Sequence, residues 1–170
     1  MLGVSDWFER YGWGRIEPAL LTGACPYDAD DVAELTELGV TAVVNLCDDV
    51  EYEAGERAAV EAAYAAAGIS ETRLATEDYG NLLPGLLERA SGAVVERLAA
   101  GDVVYLHCRA GWQRSATVAA ASIARRDGVE PDFALGVVKT GRPSAQPLHH
   151  QLEDLWRWWR ARQERAAAGS

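Results

Sequence analysis

Val103-Val104-Tyr105-Leu106-His107-Cys108-Arg109-Ala110-Gly111-Trp112-Gln113-Arg114-Ser115 runs from an apolar stretch, through a glycine-containing turn, into an alanine-rich segment. Val103 to His107 suits a strand buried on both faces. Ser115 to Arg126 suits a helix, and Asp127-Gly128 suits its end. A strand, a tight loop and a helix start place backbone N–H groups around one point, where negative charge is favoured. Cys108 and Arg114 bracket that loop. A thiolate is a nucleophile, and a helix N-terminus favours thiolate over thiol. A guanidinium fork matches two phosphoryl oxygens. Gly111 permits the tight turn, the amides around Arg109, Ala110, Trp112 and Gln113 can cradle a phosphate, and the Ser115 hydroxyl can donate to the sulfur.

Outward from this stretch, strand and helix patterns alternate. Arg15 to Ala24 reads as one or two short strands broken at Pro18, and Asp28 to Leu38 as a helix capped by Asp28 or Asp30 and ended by Gly39. Thr41 to Cys47 is a β-branched run suited to a buried strand. Glu53 to Ala67 is an alanine-rich helix, Thr72 to Ala75 a short strand, and Leu82 to Ala100 a helix that tolerates Pro84 near its start. Pro131 opens another helix, and a last one runs from about Pro147 to Arg165. The alternation predicts an α/β fold, with a central, mainly parallel, twisted sheet flanked by helices on both sides. One domain over 1–170, with its core at about 15–160, accounts for the length. Ligands in such folds sit at the carboxyl ends of strands, where Cys108 falls.

Composition narrows the classes. A net charge of -10 disfavours a general nucleic-acid surface or an anionic-membrane surface. No stretch approaches the roughly 20 apolar residues of a membrane span. The start, Met1-Leu2-Gly3-Val4-Ser5-Asp6-Trp7, has no basic region followed by an apolar core, so a cytoplasmic protein is expected, without stable membrane association. Three widely spaced cysteines and no C-x-x-C predict neither a disulfide framework nor a metal site, and no cofactor is expected.

The segment His107 to Ser115 resembles the H-C-x-x-G-x-x-R-[ST] signature of the cysteine-dependent protein tyrosine phosphatase superfamily, in its short, dual-specificity-like branch. The resemblance spreads from about Ile16 to Trp156. It takes in Ile16 to Gly23, Leu38 to Leu46, and Arg142-Pro143 followed by Gln151-Leu152. It implies a phosphocysteine intermediate on Cys108, phosphate binding by Arg114 and the loop amides, a leaving-group role for Ser115 and an orienting role for His107. It also implies a general acid about thirty residues before the cysteine. Asp78, in Thr76-Glu77-Asp78-Tyr79-Gly80, meets that spacing, and Glu77 is the fallback. The substrates implied are phosphotyrosine, and phosphoserine or phosphothreonine, in proteins. Trp112 and Gln113 are bulkier than the small residues common in protein-directed members. Gly111-Trp112-x-Arg114 is similar to the loop of the myotubularin lipid phosphatases, which keeps a lipid or small-molecule phosphate as the alternative. A sulfur-transfer enzyme and a non-catalytic phosphate-binding module are the further readings.

Other residues carry weaker expectations. Cys47 is either an ordinary buried cysteine or a redox partner of Cys108, and Cys25 is structural. Arg109 either faces solvent or meets substrate, and Trp112 is either core or pocket wall. His149 and His150 lack metal spacing. The acidic run Asp48 to Glu53 reads as a solvated loop that would repel polyanions if it bordered the site. Leu152, Leu155, Trp156 and Trp159 form an apolar stripe, and the cluster of Trp156, Trp158 and Trp159 reads as core packing, with a partner surface as the alternative for Trp158, which points elsewhere.

Overall fold

The computed structural model describes residues 3–170. Five strands form one sheet: β1 (Trp13–Glu17), β2 (Leu20–Gly23), β3 (Ala42–Asn45), β4 (Ser70–Arg73) and β5 (Val104–His107), in the order β1-β2-β5-β3-β4. β1 pairs antiparallel with β2, and every other pairing is parallel. Seven helices accompany it: α1 (Asp6–Tyr11), α2 (Ala29–Glu37), α3 (Glu56–Ala67), α4 (Pro84–Ala99), α5 (Arg114–Asp127), α6 (Pro131–Gly141) and α7 (His149–Ala168).

Side chains alternate across the central strands and so build two cores. Leu20, Ala42, Val44, Val104 and Leu106 pack toward α4, α5, α6 and α7. Leu21, Val43 and Tyr105 pack with Phe8 of α1, Val32 and Leu35 of α2, and Val60 and Tyr64 of α3. The expected layered sheet, flanked on both sides, is therefore what the chain forms.

Several local expectations shift. β4 begins two residues earlier than the Thr72–Ala75 reading, because its ladder pairs Ala42 with Ser70. The helix expected from Glu53 starts at Glu56, after a 3₁₀ turn at Asp49–Glu51 whose Asp48 and Glu51 cap each other. Trp158 is no partner surface. It is 1% exposed and donates its indole N–H to Glu88 Oε2 at 2.8 Å, so the helix buries Trp158 and Trp159 together. α1 lies ahead of the expected core. Ser5 caps it, and Ser5 itself bonds through N and Oγ to Asp31 at 2.7 Å each. Phe8 anchors it at 1% exposure, a burial that contributes about 1.5–3 kcal/mol. None of the described helices is long and apolar enough to cross a membrane.

Candidate active site

β5 ends at His107 and α5 begins at Arg114, so the loop 108–113 hangs at the carboxyl edge of the sheet. Its carbonyls all face outward into protein bonds. Cys108 O accepts from His107 Nδ1 (3.1 Å), and Arg109 O from the Cys25 amide (2.9 Å) and Trp7 Nε1 (2.7 Å). Ala110 O and Gly111 O accept from Arg142 (3.0 and 3.4 Å), Trp112 O from the Gln146 amide (2.6 Å), and Gln113 O from the Thr117 amide (3.0 Å). Among the described residues no N–H of 109–113 donates to a protein acceptor. Successive free amides of this kind form an anion cradle. Gly111 has φ +74°, and a Cβ there would lie 2.4 Å from the Gly23 carbonyl carbon, so only glycine lets the loop lie against β2.

Cys108 sits at the bottom, 3% exposed, with Sγ 3.3 Å from Ser115 Oγ. Arg114 is fully buried. Its terminal nitrogens form a fork with Glu51 (2.8 and 2.5 Å), and one of them also reaches Asp78 Oδ1 at 3.0 Å. Further bonds run to the carbonyls of Thr76 (2.9 Å) and Leu46 (3.3 Å), while Nε has no partner among the described residues. Burial opposes the guanidinium's charge, but Glu51 and the nearby thiols more than restore it, so its pKa lies above the ordinary value. Glu51 overturns one expectation. The acidic run is not simply solvated, because the Glu51 side chain is 4% exposed and serves as Arg114's counter-charge.

Asp78 and Cys108 line one cavity of about 110 Å³, along with Trp7, Tyr11, Tyr79 and Trp112. Glu77, the fallback acid, is exposed and does not line it. The Asp78 loop is tied to α7, where His150 Nε2 lies 2.9 Å from Tyr79 O and Gln151 Nε2 donates to Gly80 O at 3.3 Å. Trp112 is pocket wall, 40% exposed and edge-on to Tyr11 at 5.3 Å between ring centroids. Arg109 also lines the cavity and rests over the Trp7 ring at 4.8 Å. The sequence reading missed Glu51, Arg142 and the α1 aromatics. A buried Arg114 requires a counter-charge, yet the chain offers several carboxylates between 48 and 56, and spacing does not choose among them.

A strand-end cysteine in a free-amide loop, closed by a buried arginine at the helix start, defines the cysteine-phosphatase class of site. The model of the dual specificity phosphatase catalytic domain matches residues 24–161, and the chain belongs to that family. Phosphatidylglycerophosphate phosphatase PTPMT1 of Arabidopsis thaliana is 31% identical over 134 residues, covering 77% of this chain but only 37% of that protein's length. Dual specificity phosphatase 28 of Mus musculus is 31% identical over 137 residues, covering 79% of this chain and 76% of that protein. The crystal structure of PTPMT1 superposes with a TM-score of 0.77 at 27% identity, covering 92% of this chain and 99% of the other.

Proposed function

We propose that the chain hydrolyses phosphate monoesters through a phosphocysteine on Cys108, with phosphotyrosine as the preferred class and phosphoserine or phosphothreonine as further substrates. The observation that carries this is the loop whose carbonyls point outward and whose free amides surround the thiol. A phosphoryl group entering the cradle takes those amides and the free Arg114 Nε–H, and it replaces Asp78 on the arginine's terminal nitrogen. Cys108, as the thiolate, attacks phosphorus while the bond to the leaving oxygen breaks. Asp78, released from Arg114 and protonated, gives its proton to that oxygen. Water then attacks the phosphocysteine, Asp78 takes a proton from it, and Ser115, 3.3 Å from the sulfur, stabilises the departing thiolate. His107 is a positioning residue that holds the Cys108 carbonyl.

The aromatic wall of Trp7, Tyr11, Tyr79 and Trp112 favours an aryl ester, since ring-on-ring contact stabilises such a group. A second reading, a lipid or small-molecule phosphate, is favoured by the phosphatidylglycerophosphate phosphatase among the relatives. Aryl phosphate turnover and phosphatidylglycerophosphate turnover in detergent micelles, with wild type and Cys108→Ser in parallel, separate them. The first reading expects higher kcat/KM on the aryl ester, and none in the variant. Turnover that survives Cys108→Ser overturns the mechanism, and a preference for the lipid overturns the substrate class.

A further inference from the structure

The register of the sheet brings together three residues that are far apart in sequence. His107, the last residue of β5, pairs with Gly23 of β2 on one side and Asn45 of β3 on the other. Cys25 and Cys47 each stand two residues beyond those partners, one on either flank of His107. Their sulfurs and an imidazole nitrogen all lie within 4.8 Å of one another, and all three residues are fully buried. Cys47 Sγ is 3.8 Å from His107 Nδ1. None of the three is joined to another by a disulfide, and the proposed hydrolysis uses neither Cys25 nor Cys47.

We propose that Cys25, Cys47 and His107 form a binding site, behind the catalytic loop, for a thiophilic divalent cation of the zinc type. The donors are two thiols and an imidazole, the set such ions prefer, with no carboxylate to invite a hard cation. Even at the maximum spacing, a point equidistant from the three atoms lies about 2.8 Å from each. Zinc–ligand distances of about 2.0–2.3 Å therefore need only a small contraction. The imidazole is prepared for the role. Its Nδ1 lies 3.8 Å from Cys47 Sγ and 3.1 Å from the Cys108 carbonyl, to which it donates, and Nε2 is buried without a partner among the described residues, so the neutral ring keeps one lone pair available to an ion. On binding, each thiol gives up its proton and becomes a thiolate ligand, so one dication replaces two protons. The same imidazole holds the carbonyl of Cys108, so occupancy also changes the loop's amide cradle. That coupling to turnover rests on the hydrolysis proposed above, whereas the binding itself does not.

The test uses Cys108→Ser protein, fully reduced and stripped of metal, so that the catalytic thiol contributes nothing. Titration with Cd²⁺ is expected to give a thiolate-to-metal charge-transfer band that saturates at one equivalent and is displaced by Zn²⁺. Adding Cys25→Ala or Cys47→Ala is expected to weaken binding at least about tenfold, a loss that even outer partners of a metal site can produce. Near-ultraviolet circular dichroism without metal confirms that these variants fold, and Cys25→Ser or Cys47→Ser replaces any that does not. Absence of the band in Cys108→Ser overturns the proposal, as does a band unchanged by both substitutions. A Cys25–Cys47 disulfide that persists under reductant, seen as the loss of two hydrogens by mass, overturns it too. In wild type with an intact Cys108, Zn²⁺ is expected to lower aryl phosphate turnover, and the Cys25 and Cys47 variants to be less sensitive. Equal sensitivity removes the coupling.

Discussion

Arg114 and Arg142 hold the same loop from opposite sides and are buried in opposite ways. Arg114, at the front, is fully buried against the carboxylates of Glu51 and Asp78. Arg142, at the back, is 6% exposed and bonds only to carbonyls, those of Tyr11, Ala110 and Gly111. Burial draws the Arg142 pKa below its ordinary value, while Glu51 helps carry that of Arg114 above it. A guanidinium facing carboxylates can exchange one anion for another, so the front side suits a substrate's phosphate. A guanidinium facing carbonyls has nothing to exchange, so the back side fixes α1 and the loop as one body.

The sharpest way to break this contrast is Arg114→Lys. An ammonium cannot span two phosphoryl oxygens in one plane, so kcat/KM on an aryl phosphate is expected to fall about a hundred- to a thousandfold. Thermal unfolding should move little, since the lysine can still face Glu51. Retained activity with a large loss of stability would reverse the assignment of front and back.

Asp78→Asn comes next and sharpens the front side. Turnover of an alkyl phosphate, a poor leaving group, is expected to drop about a hundredfold. An aryl phosphate with an acidic leaving group should lose much less, because it hardly needs the proton. Equal losses on both esters would remove Asp78 from the proton transfer.

For the back side, Arg142→Met leaves the carbonyls of Tyr11, Ala110 and Gly111 without their donor. Urea unfolding should report a loss of about 2–3 kcal/mol. Turnover should fall by less than in Arg114→Lys. A variant as stable as wild type would show that the back-side bonds do not hold the loop.

The smallest effect is expected at the sheet edge, where Glu71 of β4 takes Arg57 as a permanent partner. Burial pushes the Glu71 carboxyl up, yet hydrogen bonds from Arg57 and Asn45 more than reverse this, so its pKa lies below the ordinary carboxylate value. Its folded value being the lower, the pair's contribution is present above the unfolded carboxyl's pKa and is lost as pH falls through the folded one. The stability difference between wild type and Glu71→Gln should be about 1 kcal/mol near pH 6–7 and shrink as pH falls below the ordinary carboxylate range, with turnover unaffected. A difference that persists at low pH would mean that packing, not charge, is lost.

Much of this was legible along the chain. The buried strands around Val44 and Leu106 announce themselves by β-branched and apolar runs, and the α5 start by its alanines, because both signals are local. β4 was harder to read, since Ser-Glu-Thr-Arg is polar and half-buried and its place follows from the ladder to β3. Trp158 left a partner surface open as its alternative for a related reason. Helical periodicity assumes one buried face, whereas α7 also packs against α4, where Glu88 receives the indole.

Taken alone, the sequence was enough to bring the loop's residues together. Cys108, Gly111, Arg114 and Ser115 are neighbours along one strand–loop–helix passage, and their relation depends on short-range geometry that residue types reveal. Asp78 was found by its spacing within the resemblance. Glu51 as Arg114's counter-charge, Arg142 behind the loop, the aromatic wall from α1, and the meeting of Cys25, Cys47 and His107 were decided by tertiary structure only. Each joins segments from different strands or helices. Which of several equivalent carboxylates, arginines or cysteines is chosen depends on strand order and register, and no local pattern carries that information.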